Sequence, residues 1–67
     1  MTYRIVINFQ GNDFSSNKWF TALGDAEEIV KNFLDCIDGA MRSYYYCSIE
    51  FLEAGQWVTY KVYDYDE

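Results

Sequence analysis

Residues 44–67 read YYYCSIEFLEAGQWVTYKVYDYDE, and the Ala54-Gly55 pair between two runs rich in aromatic and β-branched residues makes this stretch a β-hairpin. The strands are expected over 44–53 and 57–65. Counting back from a two-residue loop puts Leu52 opposite Trp57, Glu50 opposite Thr59, Ser48 opposite Lys61, Tyr46 opposite Tyr63 and Tyr44 opposite Tyr65. The other face then carries Phe51 with Val58, Ile49 with Tyr60 and Cys47 with Val62. This second face is suited to receive a helix, with Tyr45 and Tyr60 turned toward the core. The first collects tyrosines, Trp57 and charge, and a one-residue slip would spoil both.

Working back along the chain, a helix is expected from Asp25, read as an N-cap with Glu28 as its capping-box partner. Ala26, Ile29, Val30, Phe33, Leu34, Ile37 and Met41 share one arc of that helix, and Glu27, Glu28, Lys31, Asn32, Asp35 and Asp38 share the other. Gly39 is the expected C-cap. At the N-terminal end, Tyr3, Ile5, Ile7 and Phe9 alternate with Arg4, Val6 and Asn8, which predicts a strand over 2–9. Gly11, Asn12 and Asp13 read as turn residues, and residues 18–22 as a short second strand beside the first. The predicted fold class is α+β: one domain over 1–67, with an antiparallel sheet of three to four strands in ββαββ or βαββ order. One helix packs on one face of that sheet.

Sixty-seven residues lie near the lower end of what folds alone, yet 51% hydrophobic and 21% aromatic content excludes a disordered chain. Eleven acidic against five basic side chains give a net charge of −6. That balance argues against direct contact with nucleic acid or an anionic membrane and favours a cationic protein surface as partner. Two cysteines, Cys36 and Cys47, are too few for the disulfide scaffold of a small secreted domain. With no apolar run of membrane-spanning length, the chain is expected to be soluble and cytoplasmic.

The residue inventory also bears on chemistry. Histidine is absent, which removes the commonest general base and metal ligand together. The cysteines are not spaced for redox or zinc chemistry, Gly11 and Gly24 do not form a phosphate loop, and the helix carboxylates sit on a solvated face. Asp64, Asp66 and Glu67 lack the surrounding oxygens of a calcium loop. The expectation is a protein that is not an enzyme and holds no cofactor or metal.

Two surfaces remain as candidates for binding. One is the outer sheet face, with Tyr44, Tyr46, Leu52, Trp57, Tyr63 and Tyr65, of a size at the upper limit for a monomer surface. The other comprises nine carboxylates: Glu27, Glu28, Asp35 and Asp38 on the helix, and Glu50, Glu53, Asp64, Asp66 and Glu67 around the hairpin. Duplex DNA carries one charge per about 1.7 Å of axis, so such a set can imitate a short length of backbone. In size, charge, missing catalytic residues and the interleaved Tyr63, Asp64, Tyr65, Asp66 and Glu67, the chain resembles the small acidic inhibitors of phages and mobile elements, the anti-CRISPR and other DNA-mimic proteins. That resemblance implies a partner such as a CRISPR effector or other nucleic-acid enzyme, occupied in its basic channel within a host cytoplasm. The alternative is a homodimeric or accessory module joined through the outer aromatic face.

Overall fold

Two tight turns of the same kind organise the sheet in the computed structural model, which describes residues 1–64. The first, Gln10-Gly11, connects β1 (Tyr3–Phe9) to β2 (Asn12–Ser15). The second, Ala54-Gly55, connects β3 (Tyr45–Glu53) to β4 (Gln56–Tyr63). Both have positive φ at each central residue, 52° and 85° in the first and 51° and 80° in the second. That is the backbone twist that matches two antiparallel strands joined by two residues. The sheet order is β2-β1-β3-β4, all antiparallel, with α1 (Leu23–Cys36) packed against one face and a 3-10 turn (Arg42–Tyr44) leading into β3. The fold is thus α+β, in ββαββ order.

The second strand is not where residues 18–22 were expected to form it. Because Gln10-Gly11 reverses the chain at once, Asn12 and Asp13 belong to β2 and pair with Phe9 and Asn8. Asn8 secures this return: its Nδ2 donates to Asp13 Oδ1 at 2.7 Å and its Oδ1 accepts from the Gly11 N–H at 3.1 Å. Residues 18–22 contribute a single bridge, Phe20 with Tyr3, whose reciprocal backbone hydrogen bonds are 2.7 and 2.8 Å. Phe20 is thereby turned into the core.

α1 also differs at both ends. It begins at Leu23, with the extended Ala22 at the N-cap position and no side-chain cap, so Asp25 lies in the first turn. There its charge favours the helix dipole without accepting a capping bond. At the other end Ile37 turns extended and donates its N–H to the Leu34 carbonyl at 3.3 Å. Gly39 and Met41 lie beyond the helix, in a turn that Asp38 closes by accepting from the Met41 N–H (2.9 Å) and, through Oδ1, from the Ala40 N–H (3.0 Å).

The core is built at positions 26, 30 and 34, one per turn, where Ala26, Val30 and Leu34 meet Ile5, Cys47, Ile49 and Phe20. β1 and β3 supply the floor, since Ile5 pairs with Ile49 and Ile7 with Cys47. Tyr45 points toward the helix as expected, its ring 4.5 Å from Phe9 and 5.8 Å from Phe33. Ile29, placed on the apolar arc by periodicity, is instead exposed because the sheet reaches only part of that arc. Among the described residues no helix is long and apolar enough to cross a membrane.

The hairpin register holds near the turn and shifts farther out. Leu52 faces Trp57, Phe51 faces Val58 and Glu50 faces Thr59. A β-bulge then intervenes, so that Ile49 faces Lys61, Ser48 faces Val62 and Cys47 faces Tyr63, with Tyr60 as the extra residue. The expected pairs Ser48 with Lys61, Tyr46 with Tyr63, Ile49 with Tyr60 and Cys47 with Val62 do not form. The bulge puts the Tyr63 ring against the core and Val62 outside. A tyrosine ring removes more apolar surface from water than valine would in that place. Tyr60, expected in the core, is 48% exposed.

Candidate protein-binding surface

The sheet face opposite α1 is organised around one stacked group. Arg4, facing Glu50 across β1 and β3, donates from Nε to Glu50 Oε1 at 2.7 Å, and its guanidinium lies 4.4 Å from the Trp57 ring centroid. Trp19 approaches the same Trp57 edge-on, at 5.3 Å and 72°. Phe20 enters the core, so its neighbour Trp19, alternating in extended backbone, reaches the opposite face. The residues 19–20 segment thus partly covers the aromatic face.

This rearranges the expected patch. Tyr46 is on it, opposite Asn8 and 40% exposed, and Trp57 and Glu50 are on it but engaged with Arg4. Tyr63 leaves it for the helix side because of the bulge. Tyr44 precedes β3, in the 3-10 turn, where its carbonyl accepts from the Gln10 N–H at 3.2 Å. Tyr65, Asp66 and Glu67 lie outside the described residues. Arg4 is the member that hairpin reasoning missed, and Trp19 joins it from outside the hairpin. Alternation of Trp19 with Phe20 was the available signal.

The carboxylates form a separate surface. Glu28 and Asp35 are exposed on α1 and Glu27 is half-buried there, while Asp38 is exposed just past the helix and Glu53 at the β3–β4 turn. Asp64 is exposed beyond the end of β4. Glu50 is held by Arg4, whereas among the described residues no basic nitrogen stands within 4.0 Å of Glu27, Glu28, Asp35 or Asp38. The charges of Glu28, Asp35 and Asp38 are therefore directed to solvent, while that of Glu27 lies beside Tyr63.

Two clefts flank the helix. One, of about 340 Å³, lies beside the first turns of α1 between Trp19, Asp25, Glu28 and Ile29. The other, of about 370 Å³, runs between Glu27, Arg42, Lys61 and Tyr63. The Tyr63 hydroxyl is buried there with no partner in hydrogen-bonding geometry. Burial raises its pKa, and the neighbouring Glu27 charge adds to the shift. The remaining candidate nucleophile is unsuited to attack: burial pushes the Cys47 thiol up to about 11, which keeps it protonated near neutrality. Cys36 is exposed at the helix end. Among the described residues no group of three or more Cys, Asp or Glu side chains converges as a metal site would require. Comparison with protein-family models, with curated proteins and with solved structures finds no match.

Proposed function

We propose that this protein is a non-enzymatic binding protein whose acidic helix side and aromatic sheet face engage a basic surface on another protein. The observation that carries the reading is the set Glu27, Glu28, Asp35 and Asp38, none with a basic nitrogen within 4.0 Å among the described residues. In a chain of net charge −6 such charges are positioned to steer a cationic partner. Tyr46 and Trp57 supply the residue types that most often anchor interfaces. The partner class that fits is a nucleic-acid enzyme with a Lys- and Arg-lined channel, with inhibition, as by the anti-CRISPR and DNA-mimic proteins, as the outcome in the cytoplasm. The Asp64, Asp66 and Glu67 end belongs to the same proposal.

Immobilised protein incubated with a cell lysate tests this. Retained proteins should be nucleic-acid enzymes, released by duplex DNA or by rising salt, and lost when Glu27, Glu28, Asp35 and Asp38 are changed to lysine. Retention indifferent to salt and to those changes would sink the reading. A second reading, association of two copies, is favoured by β4, an eight-residue edge strand with Val58, Tyr60 and Val62 exposed. Light scattering over a concentration series separates the two, since only the second requires a dimer.

A further inference from the structure

The cleft of about 370 Å³ between α1 and the end of β4 gathers three of the chain's five basic side chains, each from a different element. Lys31 comes from α1, Arg42 from the 3-10 turn and Lys61 from β4. The β-bulge brings the third: it sets Lys61 opposite Ile49, on the helix side of the sheet, where an unbroken register would have put it on the outer face. There its Nζ lies 4.9 Å from the centroid of the Tyr63 ring. Arg42 is half-buried, yet among the described residues no carboxylate oxygen stands within 4.0 Å of its guanidinium. Lys31 is likewise without an ion pair among the described residues, although Glu27 and Asp35 lie one helical turn to either side of it. Tyr63, of the same lining, keeps a buried hydroxyl with no partner in hydrogen-bonding geometry.

We infer that this cleft binds a small zwitterion, an α-amino acid with an apolar side chain. A half-buried guanidinium is costly to leave without an acceptor, and its planar fork matches a carboxylate, with Lys31 and Lys61 adding charge of the same sign. Glu27 and Asp35 line the same cleft with no basic nitrogen within 4.0 Å among the described residues, so they are placed to take an ammonium. Asp64 brings a third carboxylate to the lining, which balances the three cations. A plain anion or a plain cation would therefore meet as much repulsion as attraction, whereas a molecule carrying both charges can satisfy both sets. Leu34 and the Tyr63 ring, at the edge of the core, supply the apolar contact for its side chain. The volume is at the small end of ligand clefts, which suits an amino acid. The inference goes beyond the partner proposed above and does not depend on it, although Glu27 and Asp35 serve in both.

Amide NMR titrations at low salt test this with L-leucine, N-acetyl-leucine and leucinamide, which carry both charges, the anion alone and the cation alone. L-leucine should shift the Lys31, Arg42, Lys61 and Tyr63 amides saturably, and each blocked form should bind about tenfold more weakly, the loss of one set of charge-assisted hydrogen bonds. Arg42→Gln should weaken L-leucine by about tenfold for the same reason. Lys31→Gln, at an exposed position, should weaken it too, and it carries the test if Arg42→Gln disturbs the turn ahead of β3. N-acetyl-leucine or leucinamide binding as tightly as L-leucine would overturn the zwitterion. L-leucine affinity unchanged in both variants, or no saturable shift of these amides up to the solubility of L-leucine, would overturn the site. Neither result bears on the capture of a basic partner, so the two readings fail separately.

Discussion

Replacing Ala54 by asparagine is expected to stabilise the fold. Ala54 sits at φ 51° ahead of Gly55 at φ 80°, a region that costs an L-residue with an ordinary side chain about 1–2 kcal/mol. Asparagine tolerates that region because its short amide bonds locally, and Asn-Gly is the favoured sequence for this turn. Recovering about half the cost gives about 0.5–1 kcal/mol, and Gln10→Asn at φ 52° offers as much in the other hairpin. Phe9 pairs with Tyr45 at the start of β3, whereas Ala54 follows its end, so the turns lie at opposite ends of a nine-residue strand. At about 3.3 Å per residue they are about 25–30 Å apart, far enough for the gains to add. The double variant should gain about 1–2 kcal/mol, or about 4–16 °C in Tm for a domain of this size. Urea titrations followed by circular dichroism measure the gain, with an unchanged slope as the sign that only stability moved. Gly55→Ala supplies the opposite arm. A Cβ built there meets no atom within 4 Å, so its loss of about 1 kcal/mol would be conformational alone. An Ala54→Asn protein no more stable than its parent, beside a harmless Gly55→Ala, would refute this turn geometry.

Three further outcomes follow from the core. Exposed Cys36 should react at once with a thiol reagent in the native protein, and buried Cys47 only at the rate of opening, as mass spectrometry of the labelled chain would reveal. Stability should fall in alkali, because Cys47, raised from 9.0 to about 11, and Tyr63, raised by burial and then by Glu27, both keep their protons to higher pH folded than unfolded. The contribution of Cys47 is complete below about pH 9 and lost as pH climbs through about 11, a fall of about 2–3 kcal/mol that Cys47→Ala should remove from the pH profile of urea unfolding. Ile49→Ala, at a fully buried position between Ile5 and the edge strand, should cost about 2–5 kcal/mol by the same titration; a loss below 1 would mean the site collapses or is not core.

Part of the proposed binding surface was legible in advance. The helix carboxylates Glu28 and Asp35 are opposite the buried spacing of Ala26, Val30 and Leu34, with Glu27 half-buried at its flank, and that spacing is printed in the chain. Asp38 fell outside because helical periodicity does not announce where a helix stops, and here the stop is an extended Ile37, two residues ahead of Gly39. The helix start was displaced for a like reason: Ala22 carries no capping oxygen, so Asp25, which does, drew the assignment. The Gln10-Gly11 turn was missed because glutamine is an unusual first residue for a positive-φ pair.

Local pairing is what this chain determines by itself. The Ala54-Gly55 hairpin, its first three cross-strand pairs, the alternating first strand and the helix between them depend on neighbours within one turn or one loop, and their residue types suffice. The face on which each distal aromatic lies was decided by tertiary packing. Alternation in the run from Val58 to Tyr63 is compatible with either register, and the bulge at Tyr60 follows from burying the Tyr63 ring beside Cys47 under α1, a contact no local spacing encodes. The meeting of Trp19, Trp57 and Arg4 has the same origin: three residues distant in sequence share a face because Phe20 is anchored to Tyr3 and Arg4 is paired with Glu50 across the sheet.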